Sequence, residues 1–154
     1  MLEPRPPTRE SLEALLGLRV APSQRGLVAD PAMTLAQAQF EPGSFVWGLW
    51  EGDKAVGLMA MVDPRAYPFL EPGDDPEAAY LWRLMIDAAH QGRGHGRRAL
   101  DLAVAQTRAW GLNRLTAGVV DRADSALPFY MGYGFRPTGR MPHGEVEIVL
   151  HLGL

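Results

Sequence analysis

The sequence predicts an α/β fold in which a sheet of mixed direction is covered by helices on both faces. Three observations point to it. Up to Phe40, apolar residues recur at helical spacing between proline breaks. From Phe45 to Val62 the chain switches to short β-forming runs on either side of a tight turn. After Tyr80 it alternates strand, helix, strand, helix and two closing strands.

In chain order, Thr8 caps a helix over Glu10 to Leu18, with Leu12, Leu15, Leu16 and Arg19 at helical spacing and Glu10 in the favourable first turn. Pro22 to Val28 predicts a second short helix, broken by Asp30-Pro31. Thr34 starts a third, LAQAQF, which Pro42-Gly43 ends. Phe45 to Trp50 and Ala55 to Val62 form a hairpin around Glu51-Gly52-Asp53-Lys54. Asp63 to Pro76 holds four prolines and turns acidic in its second half, so it reads as a loop. Tyr80 to Ile86 is another apolar run and reads as a buried strand.

Asp87 to Gly96 is a glycine-rich turn. The helix after it offers Ala99, Leu100, Leu102, Ala103, Ala105 and Gln106 for an inner face, and Gly111 stops it. Arg114 to Val120 is a strand. Ser125 to Met131 is a short helix that tolerates Pro128 in its first turn. Phe135 to Thr138 and Glu145 to Leu152 close the sheet.

The bulk properties bound the function. A length of 154 residues predicts one domain, 1–154, large enough to bury a core without staples. The chain has no cysteine, which excludes disulfides, thiolate metal sites and a cysteine nucleophile. His90, His95, His143 and His151 lack metal-ligand spacing, so no metal is expected. The net charge of −3 and a single basic cluster, Arg93, Arg97 and Arg98, argue against nucleic acid as a partner but suit one or two phosphates. No apolar run reaches the length of a membrane span, and the start has no signal-peptide core. The expectation is a cytoplasmic protein with no membrane partner.

The turn Gln91-Gly92-Arg93-Gly94-His95-Gly96 sits between a strand and a helix. Glycine lets the backbone approach an anion, and the first free N–H groups of the helix point at it. The arrangement predicts a diphosphate site. Two families use such a turn. Gly94-x-Gly96-x-x-Ala99 satisfies the dinucleotide-binding Rossmann fingerprint, with Asp121 where a ribose-binding acid would lie. Position argues against that reading, because a Rossmann motif opens its domain and here only 58 residues follow Gly96.

Gln91, Gly94 and Gly96 also match the Gln/Arg-x-x-Gly-x-Gly/Ala signature of the GNAT superfamily of acyl-CoA-dependent N-acyltransferases. Downstream, Tyr130, Gly134 and Phe135 match that family's Tyr-x-x-x-Gly-Phe. The chain therefore resembles a GNAT N-acetyltransferase over nearly its whole length. Val20-Ala21-Pro22-Ser23-Gln24 with Val28-Ala29, and Leu81 to Asp87, are similar to bacterial spermine/spermidine or diamine acetyltransferases.

The resemblance implies a mostly antiparallel sheet of six to seven strands flanked by four to five helices. It implies acetyl-CoA as cosubstrate and a small-molecule amine as acceptor, reacting directly in a ternary complex, and it is compatible with a homodimer. It places the backbone of Leu84, Met85 and Ile86 against the pantetheine amides. Gln91, Gly92, Arg93, Gly94, His95, Gly96 and Arg97 fall at the pyrophosphate, with His95 facing solvent or phosphate. Tyr130 becomes the proton donor to the leaving thiolate, work suited to a neutral hydroxyl. Tyr133 is the aromatic expected to be satisfied in the core.

Where many members carry an asparagine that bonds the cofactor arm, this sequence has Ala123, and Asp124 or Ser125 is the substitute. Among the strand tryptophans Trp47, Trp50 and Trp82, Trp82 is assigned to the acceptor pocket. Glu71, Asp74, Asp75 and Glu77 form an acidic loop that attracts a cationic amine, with Glu77 at the acceptor. The general base is left among Glu77, Asp87 and a water chain. The competing reading is a GNAT enzyme for an amino acid, an antibiotic or a protein N-terminus, or a non-catalytic module that binds CoA or a nucleotide.

Overall fold

A computed structural model describes residues 1–153. The strands are β1 (Leu2–Arg5), β2 (Ser44–Glu51), β3 (Lys54–Val62), β4 (Ala78–Ile86), β5 (Arg114–Val120), β6 (Arg136–Pro137) and β7 (Glu145–His151). The helices are α1 (Leu12–Leu16), α2 (Pro31–Ala38), α3 (His95–Ala109) and α4 (Leu127–Tyr133). One seven-stranded sheet runs β1-β2-β3-β4-β5-β7-β6. All neighbours are antiparallel except β4 and β5, which are parallel. This is the mixed, mostly antiparallel open sheet that the sequence predicted, with four α-helices.

The core lies in two layers. Leu15 and Leu18 pack on Leu58 and Met85 on the α1 face. Ala99, Leu100 and Ala103 of α3 pack with Met59, Met61, Leu115, Phe135 and Ile148 on the other. Burial on both faces explains why Val56 to Val62 is buried without alternation. In α3 the inner face is Ala99, Leu100, Ala103 and Thr107, whereas Ala105 is exposed. Thr107 donates its hydroxyl to Ala103 O at 2.8 Å, which lets a polar side chain sit in the core.

Several boundaries differ from the expectation. The first helix starts after Ser11 and covers only Leu12–Leu16. The segment Pro22 to Val28 is a single 3₁₀ turn, Pro22–Gln24, followed by a second turn at Gly26 and Leu27 with Arg25 bridged to Val28, and Gln24 folds back to accept from Ala21 N rather than continuing a helix. Asp30 is the cap of α2, with its carboxylate accepting from Met33 N at 2.9 Å and Pro31 opening the helix. Thr34 is therefore interior. β1 was not expected at all: it exists by pairing Leu2 to Arg5 with Gly48 to Glu51.

Two features of β4 open the middle of the sheet. At Trp82 the strand bulges, since Leu81 pairs with Met61 and Arg83 with Ala60. β4 also pairs with β5 only from Ala78 to Leu81 against Arg114 to Ala117. Beyond that point the two strands part.

Candidate active site

Where β4 and β5 part, three neighbouring cavities share lining residues across the sheet. The middle one is a cavity of about 360 Å³ between Leu81 to Leu84 and Gly118 to Val120. On one side a cavity of about 470 Å³ lies over the end of β4 and the glycine turn. On the other a groove of about 440 Å³ runs under the loop that follows β3.

The turn cavity gathers most of the sequence-predicted cofactor residues. Leu84, Met85 and Ile86 line it from the part of β4 that β5 no longer covers. Gly92 and Gly94 have φ of +78° and +80°, a region that favours glycine, and a Cβ on either would meet nothing within 4 Å. The glycines are there for conformation, and the space above them is open to an anion. Gly96 serves packing instead: a Cβ would come 3.1 Å from the Phe129 ring, so α4 sits close against the start of α3. Arg97 lines the cavity with its guanidinium 5.3 Å from the Tyr133 ring centre, whereas Arg93 is exposed and outside the lining.

Gln91 is used internally. Its Nε2 donates to Gln24 Oε1 at 2.7 Å and to Ile86 O at 3.0 Å, tying the turn to β4 and to the N-terminal loop. His95 departs from the expectation. Its ring is buried, with Nε2 3.7 Å from Glu51 Oε2 and neither ring nitrogen hydrogen-bonded. Only its backbone can serve an anion at the turn. Burial is also the main cause that holds its pKa below the ordinary 6.5. Asp124 lines the cavity but is held by both Arg122 Nε and Nη2, at 3.0 and 2.8 Å. Ser125 is spent on accepting from Leu127 N at the start of α4.

Tyr130 reaches the turn cavity and the middle cavity at once. Its ring is wedged edge-on between Phe129 and Phe135, at centroid distances of 5.2 and 5.5 Å. Its hydroxyl makes no hydrogen bond among the described residues. Burial keeps its pKa well above the ordinary 10, so it is a protonated donor at neutral pH. Tyr133, one turn on, donates to Asp101 instead.

The substrate residues divide. Trp82 lines both the groove and the middle cavity. Glu77 does not line the groove: it is 75 % exposed and pairs with Arg114 at 3.2 Å. The rest of the acidic loop is also engaged. Asp75 accepts two bonds from Arg114, and Asp74 pairs with Arg140 at 3.3 Å. Asp87 accepts from Arg19 N and lies outside all three cavities.

Sequence reasoning missed three residues that the fold brings together. Glu145, at the start of β7, borders both the groove and the middle cavity. A Cβ on Gly118 would lie 2.6 Å from Glu145 Oε1 and 3.3 Å from the Tyr80 hydroxyl, so Gly118 makes the room that both groups occupy. The available signal was the alternation Glu145-Val146-Glu147-Ile148, two acids on one face of an interior strand.

The Acetyltransferase (GNAT) family model matches residues 12–135. The chain belongs to this family. Among curated GNAT relatives, a mycothiol acetyltransferase from Geodermatophilus obscurus is 32 % identical over 108 residues, 69 % of this chain and 33 % of that protein. The chain spans between 33 % and 42 % of the lengths of the curated relatives it matches. An acetyltransferase from Thermus thermophilus is similar in structure, with a TM-score of 0.76 at 26 % identity, covering 99 % of this chain and 97 % of that one. A Bacillus subtilis acetyltransferase in complex with CoA has the same GNAT fold, with a TM-score of 0.68 at 17 % identity, covering 99 % of this chain and 98 % of that one. Among the described residues no group of acids and histidines could hold a metal, and no helix is long and apolar enough to cross a membrane.

Proposed function

We propose that the protein transfers the acetyl group of acetyl-CoA to a primary amine by direct attack in a ternary complex. One observation carries the reading. Tyr130, whose hydroxyl makes no hydrogen bond among the described residues, lines both the cavity between the parted strands and the cavity over an open, left-handed glycine turn at the start of a fifteen-residue helix. Family membership supports the same chemistry.

The residues present fit the cosubstrate. Gly92 to Arg97 offer free N–H groups, the positive end of α3 and one arginine to a pyrophosphate. The uncovered edge of β4 offers peptide groups to an amide-bearing arm, as an added strand would use them. The bulged strand holds backbone N–H groups near the reacting carbonyl. Tyr130 gives its proton to the departing sulfur. An ordinary thiol titrates near 8.5, below this buried tyrosine, so the transfer is uphill by itself. The proton that the nitrogen sheds on becoming an amide returns the phenol to its neutral form.

The groove supports a cationic acceptor, and we assign it a small polyamine or diamine. Six carboxylates line it, against Arg83 and His143, and Trp82, Tyr80 and Tyr67 supply aromatic faces for an ammonium. Its carboxylates are spread along its length, which suits a flexible molecule with separated charges. Thiol release from acetyl-CoA with a panel of amines tests both levels. Turnover of spermidine, spermine or putrescine supports the acceptor class. Turnover of another amine alone removes the polyamine and leaves the acetyltransferase, and no turnover with any amine removes both.

A further inference from the structure

We propose that Glu145 is the catalytic base, taking a proton from the ammonium of the acceptor where the groove meets the middle cavity; this rests on the acetyltransferase reading above. An amine arrives as an ammonium and cannot attack until it loses a proton, so a base must stand on its path. Glu145 lines both spaces, whereas Tyr130 lines the middle cavity and not the groove.

The other acids of the groove are engaged or remote. Asp75 is held by Arg114 and Asp74 by Arg140. Glu147 is held by Arg140 and Thr138. Glu41 accepts from the Tyr67 hydroxyl at 2.7 Å, and Glu71 sits beside His143 at 3.5 Å. The Glu145 side chain makes no ion pair or hydrogen bond among the described residues, and it is set against the one glycine of β5, where a Cβ would collide with it.

Its surroundings suit the role. Tyr80 on β4 stands against the same glycine, and burial together with Glu145 pushes its pKa up to about 12, so it remains a hydroxyl donor. Arg83 on β4, Tyr130 on α4, Glu147 on β7 and Asp74 on the loop are the other titratable or charged groups around this corner. In the step, Glu145 removes one N–H proton and becomes a neutral acid. The freed nitrogen lone pair forms the C–N bond, the C–S bond breaks with its electron pair on sulfur, and Tyr130 supplies the sulfur proton. The second nitrogen proton restores Tyr130, and Glu145 returns its own to solvent through the groove. One proton is released per amide formed.

The test is the pH profile of kcat/KM with acetyl-CoA and spermidine, or the fastest amine of the panel. Wild type should be flat from about pH 7 to 9. Glu145→Gln should fall about 10²-fold at pH 7 and recover about tenfold per pH unit as the amine deprotonates in solution, with acetyl-CoA affinity and melting unchanged. Glu145→Asp should stay flat at reduced height. Without acetyl-CoA, the ¹³C resonance of the Glu145 carboxyl should shift on adding the same amine. A Glu145→Gln profile parallel to wild type, or a loss confined to KM, overturns the assignment, as does an unmoved carboxyl resonance. If wild type itself acetylates no amine, the underlying reading fails, which is a different result from an inactive variant.

Discussion

Tyr133 donates its hydroxyl proton to Asp101 Oδ1 at 2.5 Å. Tyr130, on the same helix, makes no such bond among the described residues. Tyr130→Phe should lower kcat on the order of 10²-fold while leaving acetyl-CoA affinity intact, because the ring packing survives and only a proton donor is lost. Tyr133→Phe should cost about 1 kcal/mol of stability and leave kcat in place. Steady-state kinetics and urea denaturation of both variants decide it. The reversed pattern would move the acid to Tyr133.

Gly94 precedes α3 with φ +80° and nothing near a prospective Cβ. Gly94→Ala should therefore lose about 1 kcal/mol from backbone strain alone. Gly94→Glu adds a negative charge where a pyrophosphate would lie, and acetyl-CoA affinity should fall more than about tenfold, since charge-assisted bonds are the strong ones. Calorimetry on the two variants separates strain from electrostatics. Unchanged affinity in the second would remove the phosphate site from this turn.

His95 is buried, with its pKa held below 6.5. A group with a depressed folded pKa stays neutral in the fold while the unfolded chain takes up its proton first, so stability falls as pH drops from 6.5 toward the folded value. Wild type should therefore lose melting temperature between pH 6.5 and 5, and His95→Gln should lose less over that interval. A melting series at matched ionic strength tests this. Equal slopes would mean that Glu51 compensates the charge on protonation.

The arginines locking the acidic loop give a prediction of opposite signs. Neutralising Asp74, Asp75 and Glu77 together should raise KM for spermidine by no more than about fivefold for each charge removed, since paired surface charges contribute about 0–1 kcal/mol apiece. Arg140→Gln frees Asp74 and Glu147 and should lower KM at low salt, an effect that fades as ionic strength rises. If Arg140→Gln raises KM, those carboxylates do not face the acceptor.

Local chemistry made much of this legible in the sequence. Arg114 to Val120 reads as a strand from its own residues, and Gln91 to Gly96 announces its turn through glycines that need positive φ. What stayed hidden was set by partners distant in sequence. Leu2 to Arg5 has little strand character and becomes a strand only by pairing with β2. Glu77 reads as a free acid until the fold supplies Arg114, thirty-seven residues on. His95 lies in a polar-looking turn, and nothing near it in sequence says that its ring goes inward. Glu145 gains its place from the register that sets it opposite Val120.

The short parallel seam between β4 and β5 means that this sheet has four edges rather than two. The inner pair, Trp82 to Ile86 and Gly118 to Val120, carries peptide groups that no neighbouring strand takes up across the gap. Exposed edges of this kind usually invite another chain to pair with them. Here they face each other across a cavity of about 360 Å³ with Gly26 to Ala29 alongside. They are available to a ligand with its own amides, as they would be to an added strand. A ligand filling the cavity would knit the two halves of the sheet together, raising melting temperature with its concentration.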